Sequence, residues 1–231
     1  MTSASGSLSR GSPLDLAADL RGALGIFGGT FDPIHVAHLA VAEVARDVLG
    51  LERVLFIPAG EPPHKLDRLI SPADDRLAMV ELAIADNPAF AASRMEIERP
   101  GPSYTIDTLV ALAAEASAAG RPPRLALIIS VEAFRELPTW HQPERVLELA
   151  TLVVAPRDGY PDAEAGFLER SFPGSAARAV FLDGPRMRLS ASELRGWART
   201  GRSLRYLVPD AVCGYIGDHA LYHDQRRTDR T

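Results

Sequence analysis

Short apolar runs alternate along the chain with longer segments whose apolar residues recur at the spacing of an α-helix. The short runs have the length and the β-branched content of buried strands. Strands that alternate with helices build a parallel sheet covered by helices on both faces. We therefore predict an α/β fold with an open parallel sheet. The predicted strands span 24–27, 54–57, 125–129, 152–155 and 179–182, and the predicted helices span 36–49, 74–85 and 105–119.

Length and composition place this sheet in one domain. The chain has 231 residues, of which 46% are apolar and 24% are charged, so it can bury a sizeable core. The serine-rich start and the polar end lack the alternating pattern. We expect a flexible N-terminal tail over 1–22, a single domain over 23–223 and a polar C-terminal tail over 224–231.

The charge balance and the cysteine content restrict the partners that we expect. Twenty-five basic against thirty acidic residues give a net charge of −5, which does not indicate general nucleic-acid binding. Cys213 is the only cysteine, so neither an intramolecular disulfide nor a cysteine metal cage can form, which fits a reducing cytoplasm. No apolar run approaches the about 20 residues of a membrane span. We predict a cytoplasmic protein without membrane contact.

The first predicted strand runs directly into Gly28 and Gly29, which a threonine follows. Glycines at such a turn let backbone N–H groups approach an oxyanion closely. The segment fits neither the dinucleotide-binding nor the Walker motif. His35 and His38 then lie on one face of the first helical turn, where imidazoles and a helix N-terminus form an anion site. A metal pair is a less favoured alternative because no third ligand is nearby, and ordinary surface or core histidines are another.

Ligands of open α/β sheets bind at the carboxyl ends of the strands, so the other strand-end segments are also candidates. They read PAGEPPHK over 58–65, SVEAFRELPTWH over 130–141 and PRDGY over 156–160. The first belongs to the most loop-like internal stretch, 58–73, and long loops tend to bind ligands. Lys65 and Trp140 are ambiguous by themselves, because a loop lysine is usually solvated and a tryptophan usually lies in the core.

Two further segments have the features of helix starts. Ser190 and Glu193 have the spacing of a capping box, and a capped start with Arg195 in its second turn is also a phosphate site. Ser103 or Thr105 is expected to cap the helix over 105–119. That helix start also offers free N–H groups, which can bind a carboxylate.

The segment GGTFDPIHVAH over 28–38 resembles the GGTFDPxHxGH signature of the nucleotidylyltransferase superfamily. Its longer form is similar to that of the bacterial nicotinate mononucleotide adenylyltransferases, and further matches extend over the chain from about 24 to 222. They are PPHK at 62–65, PSYT at 102–105, LPTW at 137–140, RDGY at 157–160, LSAS at 189–192 with Arg195, YI at 215–216 and LY at 221–222. Each match alone is weak, whereas their order and spacing together are specific.

This resemblance implies a Rossmann-like fold of the HxGH nucleotidyltransferase type. It also implies the reaction that the chain catalyses. Adenylyl transfer from ATP to nicotinate mononucleotide gives nicotinate adenine dinucleotide and pyrophosphate, in NAD biosynthesis. The attacking phosphate oxygen is ionised near pH 7, because its second pKa is about 6, so no general base is required. Catalysis then consists of positioning and of charge stabilisation at phosphorus. Mg²⁺ is expected to enter with ATP, since no dedicated carboxylate cage is visible, and no residue is predicted as a metal ligand.

The resemblance also assigns roles to residues. Catalysis falls to His35, His38 and Arg195. The ATP site comprises Gly28, Gly29, Thr30, Phe31, His35, His38, Ser130, Glu132, Ser190, Ser192 and Arg195. The nicotinate mononucleotide site comprises His64, Lys65, Tyr104, Thr105, Trp140 and Arg157. In that site Trp140 is expected to stack on the pyridine ring, and the helix start is expected to bind the carboxylate.

The chain departs from the family pattern at a few positions. Ala37 replaces the glycine of HxGH, and Asp158 replaces the proline of RPGY. Ser130 and Glu132 replace the glycine and the aspartate of GxD. These changes predict weaker binding of the adenosine part of ATP. Two alternatives stay open: an adenylyltransferase with another phosphate acceptor, and a nucleotide-binding paralogue with little turnover. The sequence also leaves open whether the chain forms a homo-oligomer.

Overall fold

A six-stranded parallel sheet forms the centre of the protein, in a computed structural model that describes residues 17–61, 70–161 and 165–222. The strands are β1 (Leu24–Gly29), β2 (Arg53–Pro58), β3 (Phe90–Ala92), β4 (Leu125–Ser130), β5 (Ala150–Ala155) and β6 (Ala179–Phe181). Their order is β3-β2-β1-β4-β5-β6, and every neighbouring pair is parallel. The predicted α/β fold class is confirmed.

Helices connect the strands and cover the sheet. They are α1 (Val36–Leu49), α2 (Ala73–Ile84), α3 (Thr105–Ala118), α4 (Val131–Glu136), α5 (Pro143–Leu149), α6 (Ala165–Ser171), α7 (Ala191–Arg199) and α8 (Asp210–Asp218). Short 3₁₀ turns follow α4 at Leu137–Thr139 and precede β6 at Ala176–Arg178. In the described ranges, no helix is both long and apolar enough to span a membrane.

Both faces of the sheet are buried. Because side chains alternate along a strand, Ile26 and Phe27 of β1 belong to two different core clusters. Phe27 packs on the face that α1, α7 and α8 cover, and Ile26 packs on the face that α3, α4 and α5 cover. This burial on both faces explains why the strands are nearly continuous apolar runs in the sequence.

Sequence patterns missed the shortest elements. β3 was not predicted, because its three residues, FAA, form no β-branched run. Helices α4, α5, α6 and α8 have only 6 to 9 residues, too few for a clear helical period. Leu20 is buried in the core, so the packed chain begins before the predicted boundary at residue 23. The other residues of both predicted tails lie almost wholly outside the described ranges.

The strand order reverses direction between β1 and β4. β1 continues through β2 to β3 on one side, while β4 continues through β5 to β6 on the other. Connections therefore leave the carboxyl ends of β1 and β4 in opposite directions, and a crevice opens between them. Gly29 ends β1 and Ser130 ends β4, so the segments that follow these two residues form the walls of that crevice.

Candidate active site

The turn between β1 and α1 is shaped by a buried phenylalanine. Phe31 has a left-handed φ of 49° and packs edge-on against Phe27 and at a tilt against Phe56. A Cβ on Gly29 would lie 3.0 Å from the Phe31 ring, whereas a Cβ on Gly28 would meet no atom within 4 Å. Gly29 thus admits the Phe31 ring, and Gly28 leaves open space at the strand end. Since the Phe31 side chain is buried in the core, only its backbone can serve the predicted ATP contact.

The two histidines of this turn form a stacked pair. Their ring centroids are 3.7 Å apart, with an angle of 19° between the planes. The His35 backbone N–H donates to His38 Nδ1 at 3.2 Å. Because Nδ1 of His38 accepts this bond, the neutral ring carries its hydrogen on Nε2, which makes Nε2 a donor.

His35 is the buried member of the pair, with 4% of its surface exposed. Burial, reinforced by the charge of Arg157, lowers the pKa of His35 to about 4. The ring is therefore neutral at pH 7. Among the residues that the structure describes, its Nδ1 has no hydrogen-bond partner. His35 thus supplies a neutral polar group to the crevice rather than a positive charge.

The start of α1 is already partly occupied. The Val36 N–H donates to the Leu207 carbonyl at 3.0 Å, and the His38 N–H donates to the His35 carbonyl at 2.9 Å. Of the first three helical N–H groups, that of Ala37 is the one that these bonds leave for an anion. The helix start therefore offers an anion fewer backbone N–H groups than the sequence predicted. The remaining group belongs to Ala37, the residue that replaces the family glycine.

Helix α7 brings Arg195 to the same turn. Ser190 caps this helix, since its Oγ accepts from the Glu193 N–H at 3.2 Å, as the capping-box spacing predicted. Ser192 Oγ accepts from Arg195 Nη2 at 3.1 Å. Arg195 Nη1 donates to the Asp32 carbonyl at 2.7 Å, across 163 positions of sequence. The Arg195 guanidinium is therefore held against the backbone of Asp32, which precedes His35 by three residues in the β1–α1 turn.

Asp32 belongs to the GGTFDP motif, but the sequence analysis gave it no role in the site. Its carboxylate is 2% exposed and accepts from the Tyr222 hydroxyl at 2.7 Å and from the Ser71 N–H at 3.2 Å. Arg195 Nη1 lies 3.9 Å from the same carboxylate. The position of Asp32 inside GGTFDP was the available signal, but its partners are far away in the sequence.

Arg76 is a second residue that the sequence analysis missed. This α2 side chain is 2% exposed and donates to the carbonyls of Thr30 at 2.9 Å, Gly60 at 3.3 Å and Ser71 at 3.0 Å. Burial lowers its pKa, which the charge of Asp32 opposes. Arg76 thus joins the loops that follow β1 and β2. A charged residue on the helix face that also carries Val80 was the missed signal.

The segments after β4 and β5 meet each other. Ser130 Oγ accepts from the Ala133 N–H at 3.3 Å, so the hydroxyl that departs from the family glycine caps α4. Glu132 forms an ion pair with Arg157, and their side chains are 29% and 32% exposed. A hydrogen bond to Glu132 raises the pKa of the Tyr160 hydroxyl. Glu132, predicted for the ATP site, and Arg157, predicted for the nicotinate mononucleotide site, are therefore direct neighbours.

The predicted carboxylate site lies at the start of α3. The N-cap residue is Tyr104, with extended φ and ψ of −90° and 135°, and no side chain caps the helix. The predicted cap by Ser103 or Thr105 is wrong, because Ser103 Oγ accepts from the Gly60 N–H instead and Thr105 is the first helical residue. The bond between Ser103 and Gly60 joins two loops that are 43 positions apart, so no local sequence pattern reveals it.

Aromatic rings surround that helix start. The Tyr104 ring lies 4.6 Å from the ring of His141, which follows the half-buried Trp140 in the chain. Below, Glu96 is buried and accepts from Thr108 Oγ1 at 2.7 Å, and burial raises the pKa of Glu96. The start of α3 thus lies beside the segment that carries Trp140, through the contact between Tyr104 and His141. His64 and Lys65 lie outside the described residues.

Comparisons with known proteins agree with this arrangement. The profile of the cytidylyltransferase-like family matches residues 26–196. A probable nicotinate-nucleotide adenylyltransferase from Thermomicrobium roseum is 46% identical over 199 residues, which cover 86% of this chain and 91% of the relative. The chain belongs to the nicotinate-nucleotide adenylyltransferase family. A member from Thermus thermophilus is 44% identical, over 86% of this chain and 98% of its own.

Solved structures of the family share the fold of this chain. A Plasmodium falciparum nicotinic acid mononucleotide adenylyltransferase, solved in complex with NaAD, has a TM-score of 0.70 at 15% identity and is matched over 98% of its length and 87% of this chain. A putative nicotinate-nucleotide adenylyltransferase from Vibrio parahaemolyticus has a TM-score of 0.60 at 16% identity, over 96% of its chain and 87% of this one. The resemblance inferred from the sequence motifs and the predicted nucleotidyltransferase fold are both confirmed.

Proposed function

We propose that this chain transfers the adenylyl group of ATP to nicotinate mononucleotide, which yields nicotinate adenine dinucleotide and pyrophosphate in NAD biosynthesis. The observation that carries the proposal is the convergence of His35, His38 and Arg195 at the carboxyl end of β1, in a chain that belongs to this family of enzymes. The start of α3, where no side chain caps the helix, offers backbone N–H groups to the second substrate.

In the reaction, a phosphate oxygen of nicotinate mononucleotide attacks the α-phosphorus of ATP. A new P–O bond forms there, the bond from the α-phosphorus to the bridging oxygen breaks, and pyrophosphate leaves with that electron pair. The attacking oxygen is already ionised near pH 7, so the chain must position the reactants and stabilise the developing charge. His38 Nε2 and the Arg195 guanidinium are the donors for that charge.

The neutral state of His35 suits a role in orienting the ring of His38. The low pKa of about 4, caused by burial and the charge of Arg157, keeps this ring neutral at pH 7. Stacking against His35 in turn fixes the plane of the His38 ring. We infer that His35 orients the pair and that His38 is the main donor to the transition state.

We expect nicotinate mononucleotide to bind at the start of α3. Its carboxylate would accept from the N–H groups of Thr105 and Ile106, which have no acceptor inside the helix, and its ring would stack on Trp140. Its phosphate would take Arg157 away from Glu132, which then becomes free for the ATP ribose. Since both side chains of this ion pair are about one-third exposed, separating them costs little. His64 and Lys65 remain predicted contacts.

Magnesium is proposed to arrive as part of the MgATP substrate. The described residues contain no group of three or more acidic, histidine or cysteine side chains that could hold an ion. The buried carboxylate of the crevice, Asp32, already accepts two hydrogen bonds. The ATP phosphates and water therefore supply the ligands of the ion. We also infer a cytoplasmic location, since the sequence has one cysteine.

A direct assay tests the proposal. The purified chain is incubated with ATP, Mg²⁺ and nicotinate mononucleotide, and the products are separated by chromatography. We expect nicotinate adenine dinucleotide and pyrophosphate in equal amounts. Other phosphate acceptors in the same assay test the alternative of a different substrate, and binding of ATP without product would indicate the paralogue with little turnover.

A histidine variant tests the assigned chemistry. His38→Ala should lower kcat by about 10²- to 10³-fold with a smaller change in ATP affinity, because its donor acts mainly on developing charge. His219→Ala is the matched control, since His219 lies at the end of α8 and stacks on Tyr215. A His38→Ala variant that keeps most of its kcat would refute the catalytic assignment.

A further inference from the structure

The end of the described chain returns to the β1–α1 turn through one tyrosine. Tyr222 follows α8, and its ring packs against the core beside Leu221. Its hydroxyl donates to Asp32 Oδ1 at 2.7 Å, across 190 positions of sequence. This bond connects the last described residue to the β1–α1 turn, which leads directly into His35 and His38.

The backbone at this point is strained. Ala220 and Tyr222 have φ values of 50° and 69°, in the left-handed region that residues with side chains rarely adopt. Such strain persists only where the surroundings stabilise it. Here the packed ring and the bond to Asp32 do so. Burial and the charge of Asp32 raise the pKa of Tyr222 far above its usual range, so the hydroxyl remains a donor throughout an assay.

Asp32 links this bond to Arg195. Oδ1 of its carboxylate accepts from Tyr222, and Oδ2 accepts from the Ser71 N–H and lies 3.9 Å from Arg195 Nη1. The same nitrogen donates to the Asp32 carbonyl at 2.7 Å. Without the donor on Oδ1, the carboxylate is held through Oδ2 by the Ser71 N–H and by the charge of Arg195, so its plane is less tightly fixed. A change of that plane alters the field and the space that the guanidinium meets.

We propose that Tyr222 is a positioning residue for ATP, which holds the Asp32 carboxylate in the orientation that fixes Arg195 toward the triphosphate. The inference rests on the proposed function, in which Arg195 contacts the phosphates of ATP. Tyr222 acts through Asp32 and Arg195, and its removal should affect ATP rather than the acceptor. The start of α3, where the acceptor binds, shares none of these contacts.

The chain provides a matched control in Tyr215. This half-buried tyrosine of α8 packs against the same core cluster and donates to Asp75 Oδ1 at 2.8 Å. It resembles Tyr222 in residue type and in having an aspartate as partner, but Asp75 is less buried than Asp32 and has no bond to Arg195. Tyr215→Phe therefore measures the cost of losing a tyrosine–aspartate bond that has no link to the site.

Steady-state kinetics with both substrates test the proposal. Losing one hydrogen bond to a charged group corresponds to about 10- to 100-fold, and an indirect effect should lie near the lower end. We expect Tyr222→Phe to raise the KM for ATP and lower kcat, about tenfold in kcat/KM for ATP. The KM for nicotinate mononucleotide should stay within about twofold, and Tyr215→Phe should leave both KM values within that range.

A double-mutant cycle separates positioning from a general loss of structure. If Tyr222 acts through Arg195, then Tyr222→Phe should have no further effect on kcat/KM for ATP in an Arg195→Ala background. Independent, multiplying effects of the two substitutions would overturn the proposal. So would an equal rise of both KM values, or a Tyr215→Phe variant with the same ATP defect.

A second variant and a binding measurement cover the cases in which the kinetic comparison cannot be made. If Tyr222→Phe does not fold, as judged by its thermal unfolding, Asp32→Asn retains an acceptor for Tyr222 and weakens the link to Arg195. It should show the same selective ATP defect, and a normal KM for ATP would overturn the proposal. If the wild-type chain makes no dinucleotide, the proposed function fails, and calorimetric binding of ATP to the same variants then tests the role of Tyr222 separately.

Discussion

A single proline at the start of α3 offers the sharpest test of how the acceptor is recognised. Thr105 is the first helical residue, where proline is tolerated, and Tyr104 before it has φ and ψ of −90° and 135°, which the position before a proline requires. Thr105→Pro therefore removes one backbone N–H while the helix remains. Thr105→Ala, which removes the hydroxyl and keeps the N–H, is the matched control.

The expected magnitude follows from the group that is lost. A hydrogen bond from an N–H to a carboxylate contributes about 1.5–3 kcal/mol, and the helix dipole adds about 0.3–1 kcal/mol. Removal of one of the two N–H groups should cost nicotinate mononucleotide about 1.5–3 kcal/mol, or roughly 10- to 100-fold in kcat/KM. Asp107 in the first turn of α3 carries the same sign as the carboxylate and keeps the total preference near the lower end.

The assay compares the acid and the amide side by side. Nicotinamide mononucleotide has a neutral amide of nearly the same shape, so stacking on Trp140 cannot distinguish the two acceptors. The wild-type chain should prefer the acid by about 30- to 1000-fold in kcat/KM, from the sum of the two contributions. Thr105→Pro should lose most of that preference and Thr105→Ala should retain it. A proline variant with unchanged acid preference would refute a carboxylate site at this helix start.

Two further predictions follow from burial and capping. The pKa of His35 is lowered from 6.5 to about 4 in the fold, so stability is full above about pH 6.5 and falls as the pH drops toward 4. Between pH 7 and pH 4.5, urea unfolding should show a loss of stability that is about 2 kcal/mol larger in the wild type than in His35→Gln, and equal losses in both would contradict the assignment. The double variant Ser130→Gly, Glu132→Asp should bind ATP more tightly in calorimetry and lose a few tenths of a kcal/mol from the α4 cap, about the value for serine-to-glycine caps. Equal or weaker ATP binding would mean that other residues compensate for these departures.

Local pattern was sufficient for the framework of the fold. The long helices and the buried strands repeat a period over many residues, and such repeats survive in any tertiary context. β3 and the helices of six to nine residues escaped because packing against the sheet, rather than their own propensity, stabilises them. The capping of α7 by Ser190 was predictable because donor and acceptor lie three residues apart.

The candidate site likewise has features that the sequence motifs predict and features that depend on the folded chain. Motif order predicted which strand-end loops carry the candidate residues, since the carboxyl ends of parallel strands must share one edge of the sheet. Sequence alone could not determine the neutral state of His35, the ion pair between Glu132 and Arg157 or the loop anchoring by Arg76, because each depends on burial or on contacts across the crevice.

The longest of these links joins Asp32 to Tyr222. Both residues are present in motifs that the sequence displays, but 190 positions separate them, and no periodicity or spacing pairs residues at that distance. The sequence determined which chemical groups the chain carries and which ends of which strands hold them. Only the tertiary structure decided which groups meet and which remain charged, because desolvation and hydrogen bonding depend on what the folded chain places around each side chain.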